Sequence, residues 1–423
     1  MKHFKDAHKV RNRRDVLKAA ASLAVSLPGL AFWPAAALRA DDEDSKFFVY
    51  VFVHGGWDVT LGSDPKTMPA GLDENDLYLG YGPDEIAAEG ALKLGPAAKS
   101  LLKHASDLTI VNGVVMSSAD NGHPASANYF QTANGQGKRS ALALQLSRFL
   151  APCPFGVVYN RNLVKAQDAR GVGTIFAEDL RDLRSLNQLA PIFAKMGLSS
   201  VAESGYKHAV QRFLANQTKI QEYLRRSGAG EASREATLHQ LIATAFTTGC
   251  ANAAQVDVGH PDDLDTHTAH PGRHLTKLKS AFESVASLFE IFKKTELSDG
   301  DSLFSRTTFL ITSEFSRLPH LNRGQGKDHN PLANSAILAG HGVKRASVVG
   351  STKVIGRKSS SKGEPMLVSS PFDFKAKKAL DEKPDFNLKH IDYIYPENIA
   401  ATVIKLLDLE KASDQYADYK PVL

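Results

Sequence analysis

The sequence predicts an α/β fold with a mostly parallel central sheet, and three observations predict it. Short runs of β-branched and aromatic residues recur without polar alternation, the pattern of strands buried on both faces. Stretches with apolar residues at helical spacing lie between those runs. Acids and histidines collect just past the runs, where open α/β sheets carry their ligands.

Taken in order, "KFFVYVFV" (Lys46 to Val53) is almost wholly apolar and predicts a central strand. "GPAAKSLLKHAS" is amphipathic and leads into a second strand, "LTIVNGV" (Leu108 to Val114). Ser140 to Arg226 reads largely as helix, with "HAVQRFLANQTKIQEYLRRS" the clearest stretch before the breaker "GAGE". "CANAAQVDVG" (Cys250 to Gly259) is a weaker strand. From Arg273 to Thr295, Leu275, Leu278, Phe282, Val285, Phe289 and Phe292 fall on one helical face. "TTFLITSEF" and "NSAILAGHG" are strands again, "GRKSSSKGEP" is a surface loop, and Pro396 to Leu409 is a helix with proline in its first turn.

Residues 1–40 stand apart as an export signal. A basic start ends in the Arg13-Arg14 pair with Leu17-Lys18, and an Ala-rich apolar stretch and a small-residue exit at Ala37 or Ala40 follow. Pro28, Gly29 and Pro34 interrupt that stretch, so it predicts no stable membrane-spanning helix. The expected partner is the twin-arginine translocase, which carries folded cargo, and the expected destination is the periplasm or beyond. The signal holds eight Lys/Arg and two acids, so the whole-chain net charge of +5 falls to −1 without it. A nucleic-acid partner then has no electrostatic footprint. Residues 41–423 are long enough for one large domain, with 140–231 as a helical insertion or cap. Two cysteines, Cys153 and Cys250, make no disulfide scaffold, and their pairing is left open.

Four polar clusters follow the strands. Asp58 ends "HGGWD", either as a hard-metal ligand or as a turn residue bonding its own backbone. "DDLDTHTAH" places Asp265, His267 and His270 within reach of a zinc, manganese or iron ion, or else caps the following helix. Glu314 and Arg317 follow "FLITS", and Arg317 either clamps an anion or pairs with Glu314. Asp328 and His329 follow a Gly-rich turn. In "GHPASANYF", His123 is a proton-transfer group or a ligand, or a loop histidine ahead of a helix capped near Ser126. Together these predict a site at the carboxyl edge of the sheet.

"FVHGGWD", "DLDTH", "TSEFSR", "GKDHNP", "AILAGHGVK" and "VVGSTKVIG", in this order after a twin-arginine signal, resemble the DUF1501 family of exported bacterial proteins, placed in the alkaline-phosphatase/sulfatase-like superfamily. The resemblance implies an alkaline-phosphatase-like sandwich with helices on both faces of the sheet and two divalent-metal subsites. Asp58 matches the first aspartate of such sites, Asp265 with His267 the Asp/His motif, and His329 the late histidine. Glu314, Asp328 and the ions zinc, manganese, iron or calcium complete the expected metal set. His123, Ser126 and Arg317 are the candidates for catalysis. The chain departs from the hydrolases at Glu314-Phe315, where they carry Asp-His, and at the nucleophile, for which only Ser118 and Ser126 offer themselves. Two functions follow: a metal-dependent hydrolase of small phosphate or sulfate esters, or a non-catalytic envelope binding protein on the same scaffold.

Overall fold

The structure is a computed structural model that describes residues 45–116, 122–180 and 237–423, apart from 152, 154, 167, 169–171, 345, 361–362 and 381–392, together with 222, 225 and 226. The expected export signal lies outside the described residues, as does nearly all of the helix expected over 208–227.

Eight strands form the central sheet. In chain order they are β1 (Phe47–Val53), β2 (Leu108–Asn112), β3 (Val157–Tyr159), β4 (Thr174–Phe176), β5 (Ala253–Val258), β6 (Thr307–Thr312), β7 (Ser335–Gly340) and β8 (Ser347–Val349). Across the sheet the order is β8-β2-β7-β6-β1-β5-β3-β4. β7 runs antiparallel to both of its neighbours, β2 and β6, and every other pairing is parallel. The expected α/β architecture with a mostly parallel sheet is the one observed.

All seven residues of β1 are buried, and they divide between two cores. Phe47, Val49, Val51 and Val53 face helices α3 (Leu238–Thr247) and α4 (His270–Lys294) and the 3₁₀ turns of Pro96–Asp107. Phe48, Tyr50 and Phe52 face α1 (His123–Thr132), α2 (Leu142–Ser147) and α5 (Pro396–Leu406). Helices therefore cover both faces, which is why the strand shows no polar alternation. The first core closes over rings: Phe289 meets Phe309 at 5.0 Å and Phe304 at 5.4 Å between centroids.

The helix predicted from Arg273 begins there in the backbone as well. Pro271 and Gly272 ahead of it are not helical, and Gly272 has φ of +74°. A difference appears in the stretch expected to be largely helical. It supplies α2, but also β3 and β4, whose Val-Val-Tyr and Thr-Ile-Phe triplets favour strand yet are too short to show a period. Among the described residues, no helix is long and apolar enough to cross a membrane.

Candidate metal centre

The direction of β7 assembles the site. The parallel strands β1, β2, β5 and β6 all deliver their carboxyl ends to one edge, and reversed β7 delivers its amino end there. The segment ahead of β7, His329 to Asn334, thus joins the loops after β1, β5 and β6.

The two ends of the β6–β7 connection are zipped together by backbone bonds. Ser316–Arg317 pairs antiparallel with His329–Asn330, and the Leu318 amide donates to Asp328 O at 2.9 Å. The turn between them lies on the loop after β5: the Lys327 amide donates to Thr266 O, and the His270 amide to Gln325 O. This close approach requires glycine at 326, where a Cβ would stand 1.9 Å from the His267 carbonyl. Gly56, with φ of +73°, likewise leaves room for the Phe315 ring. That ring stacks on His329 with centroids 4.0 Å apart.

The result is a compact donor set. One ligand atom from each of His123, Asp265, His267 and His329 lies within 4.8 Å of all the others. Asp265 Oδ1 is 3.1 Å from His123 Nε2, 3.2 Å from His267 Nε2 and 3.9 Å from His329 Nε2, and the last two nitrogens are 2.9 Å apart. A tetrahedral ion with arms of about 2.1 Å separates its ligands by about 3.4 Å, so these spacings bracket the requirement. His123 Nε2 is a buried nitrogen that makes no aligned hydrogen bond, which leaves it free to meet a cation. Three imidazoles and one carboxylate suit zinc, manganese or iron. Calcium, also expected from the sequence, takes six or more oxygens and does not suit this set.

Carboxylates stand behind two of the rings. His123 Nδ1 lies 2.8 Å from Glu314 Oε1, and His267 Nδ1 lies 2.5 Å from Asp328 Oδ1. Each contact places the ring proton on Nδ1 and turns the Nε2 lone pair toward the centre. Burial alone would raise the Glu314 carboxyl, but His123 and backbone amides, including that of Gly55, hold it below its usual range. Asp265 follows the same rule, with Arg317 and His123 outweighing burial. Burial opposes the His123 imidazolium, yet Glu314 and Asp265 more than offset it and raise its pKa.

The remaining candidates take other places. Arg317 is fully buried; its guanidinium donates to Gly56 O at 3.0 Å, Lys327 O at 3.0 Å, Leu264 O at 2.9 Å and Gly55 O, and reaches Asp265 Oδ1 at 3.0 Å. It ties three strand-end loops together and orients Asp265. Glu314 and Asp328 orient rings. Asp58 does not join the group: its carboxylate takes the Thr60 amide and hydroxyl and the Lys327 ammonium. Ser126 is buried on α1, and its Oγ has no hydrogen-bond partner among the described residues. Ser118 lies outside the described residues. His270 turns inward, away from His267, toward Asp58. Sequence reading missed Lys327, Thr266 and His274. The one signal was the four-residue step from His270 to His274, which puts them on one face of a helix start.

A sequence model of the family described as "Protein of unknown function (DUF1501)" matches residues 193–366. No curated protein matches the chain. Among solved structures, Ps i-CgsB in complex with k-i-k-neocarrahexaose is similar at a TM-score of 0.37 and 8% identity, over 89% of this chain and 75% of that one. The alkaline phosphatase of the Antarctic bacterium TAB5 scores 0.32 at 12% identity, over 72% of this chain and 94% of that one. A protein in the alkaline phosphatase superfamily from Vibrio parahaemolyticus scores 0.31 at 10% identity, over 97% and 98%. Scores this low measure remote likeness. The match over 193–366 spans the loops that carry Asp265, His267, Asp328 and His329, and to that extent the chain is similar to the DUF1501 family.

Proposed function

We propose that this protein is an exported metalloprotein whose strand-end centre hydrolyses a small anionic ester of phosphate or sulfate. The observation that carries the reading is the convergence of His123, Asp265, His267 and His329, with Glu314 and Asp328 orienting two of the rings. A bound divalent ion supplies Lewis-acid polarisation of an ester oxygen. The chain's own residues then do the rest. Arg317 fixes the Asp265 carboxylate through an N–H at 3.0 Å. Glu314 holds the His123 proton on Nδ1.

One observation favours a second reading, a binding protein without turnover. Ser126, the nearest hydroxyl on α1, is buried, so the described residues place no serine nucleophile at the centre. The two readings separate in one experiment, a screen of phosphate and sulfate monoesters with protein freed of metal and reloaded with zinc, manganese or iron in turn. Turnover that needs the ion and disappears in Asp265→Ala supports the hydrolase. Stoichiometric metal with no turnover across the panel supports the binding protein, and absence of metal sinks the hydrolase.

A further inference from the structure

Asp58, the acid at the exit of β1, stands in a different environment from Asp265. It is completely buried, as is Lys327. Asp58 Oδ1 accepts from the amide and hydroxyl of Thr60 at 3.0 and 2.7 Å. Oδ2 takes the Lys327 ammonium at 2.7 Å and faces His270 Nε2 at 3.2 Å. The His270 contact is the loosest of the four, since no aligned bond forms at that nitrogen. Lys327 Nζ also donates to Tyr78 O at 2.8 Å and stands 5.7 Å from the Tyr78 ring centroid.

Two histidines complete this pocket, and their proton positions follow from one fixed donor. The Asp58 amide can only donate, so His274 Nε2, 2.9 Å away, accepts. Neutral His274 then carries its proton on Nδ1 and gives it to Thr266 Oγ1 at 2.9 Å. Of the two acceptors open to the Thr266 hydroxyl, His270 Nδ1 at 2.8 Å is nearer than Leu264 O at 3.5 Å, and the Asp58 carboxylate facing His270 Nε2 at 3.2 Å favours a proton on that nitrogen. His270 is thereby protonated at Nε2, toward Asp58. Burial and neighbouring positive charge lower the pKa of both rings, in keeping with neutral imidazoles. An aspartate and two histidines at a strand exit have the composition of a metal site, yet neither ring has a lone pair left to give. Burial would raise the Asp58 carboxyl, but Lys327 and His270 hold it well below its usual range.

We infer that the centre takes one divalent ion per chain, and that the Lys327 ammonium is the built-in cation of the neighbouring Asp58 pocket. The inference rests on the metal reading above. The Asp58 charge is already neutralised, and a dication brought to it would meet an ammonium inside a dry interior where repulsion is poorly screened. It corrects the two-subsite expectation raised by the sequence. The pocket positions the true centre: Thr266 lies between Asp265 and His267, and Lys327 immediately precedes Asp328 and His329.

The test is metal analysis of the mature protein, purified without chelators, after saturation with zinc, manganese or iron singly. The expected result is one equivalent in the natural protein, none in Asp265→Ala, and one again when Asp58→Asn is combined with Lys327→Met. The double change removes both buried charges together, so neither is left unpaired. Two equivalents in the natural protein overturn the inference while leaving the metal reading intact. Loss of the ion from a double variant that stays folded by circular dichroism also overturns it. No metal in the natural protein overturns the metal reading and this inference with it. Should the double variant fail to fold, the stoichiometry of the natural protein decides alone.

Discussion

Glu314 Oε1 accepts from the Gly55 amide and lies 2.8 Å from His123 Nδ1, so one buried oxygen ties the exit of β1 to the ring that opens α1. Glu314→Gln keeps an acceptor for both donors but removes the charge. Metal affinity should fall about 10- to 100-fold with the fold retained. Competition against a chelator of known affinity measures it, and unchanged affinity would mean that the His123 ring is not held through this charge.

Asp328 makes the equivalent contact to His267 but is half exposed. Solvent screens its charge, so Asp328→Asn should weaken metal binding less than Glu314→Gln does, by about threefold to tenfold. The order of the two variants is the checkable quantity. A larger loss at Asp328 would contradict the screening argument.

Arg317 should matter for stability before it matters for chemistry. Arg317→Ala leaves Asp265 and four backbone carbonyls without their donor in a dry interior, at a cost of about 3–5 kcal/mol. Arg317→Lys should recover little, because an ammonium cannot reach that fan of acceptors. Urea unfolding of the two variants tests this, and a near-natural midpoint for either would refute it.

How much of this was legible beforehand differs by element. β1, β6 and β7 were readable because burial on both faces leaves a largely apolar run, whereas β5 was a weaker signal broken by Gln255 and Asp257. β3, β4 and β8 have three residues each, too few for any period to show. Asp265, His267 and His329 could be picked out by residue type and position past a strand. Their partners could not: Glu314 and His123 are 191 residues apart in sequence, and nothing local says that they touch. Lys327 looked like an ordinary loop lysine, because burial of a charge is decided by what folds over it. The sense of β7 was equally hidden, since an apolar run reads the same in either direction.

Acid should unfold the protein through its neutral histidines. His104 packs edge-on against Phe289 at 5.5 Å, and burial together with Lys293 and Lys103 lowers its pKa to about 4. In the unfolded chain the same ring takes its proton near 6.5. The stability it contributes is complete above about 6.5 and is lost as pH falls toward 4, because the unfolded state binds the proton first. His104→Gln should therefore narrow the gap in Tm between pH 7.5 and pH 5. An unchanged gap would show that other groups govern acid unfolding.

The reversed strand also fixes when the centre can exist. Had β7 run with its neighbours, the residue ahead of it would sit about 20 Å away, at the far edge of the sheet. Because it runs backward, His329 closes a ring of chain that began at residue 54, and the four donors span 206 positions from His123 to His329. A nascent chain that has emerged only as far as Asp328 holds three of the four donors, and one that ends at Asn334 holds all four but lacks the strand that fixes His329 at this edge. On the metal reading proposed above, capture of an ion is then a late event, one that reports completed long-range pairing.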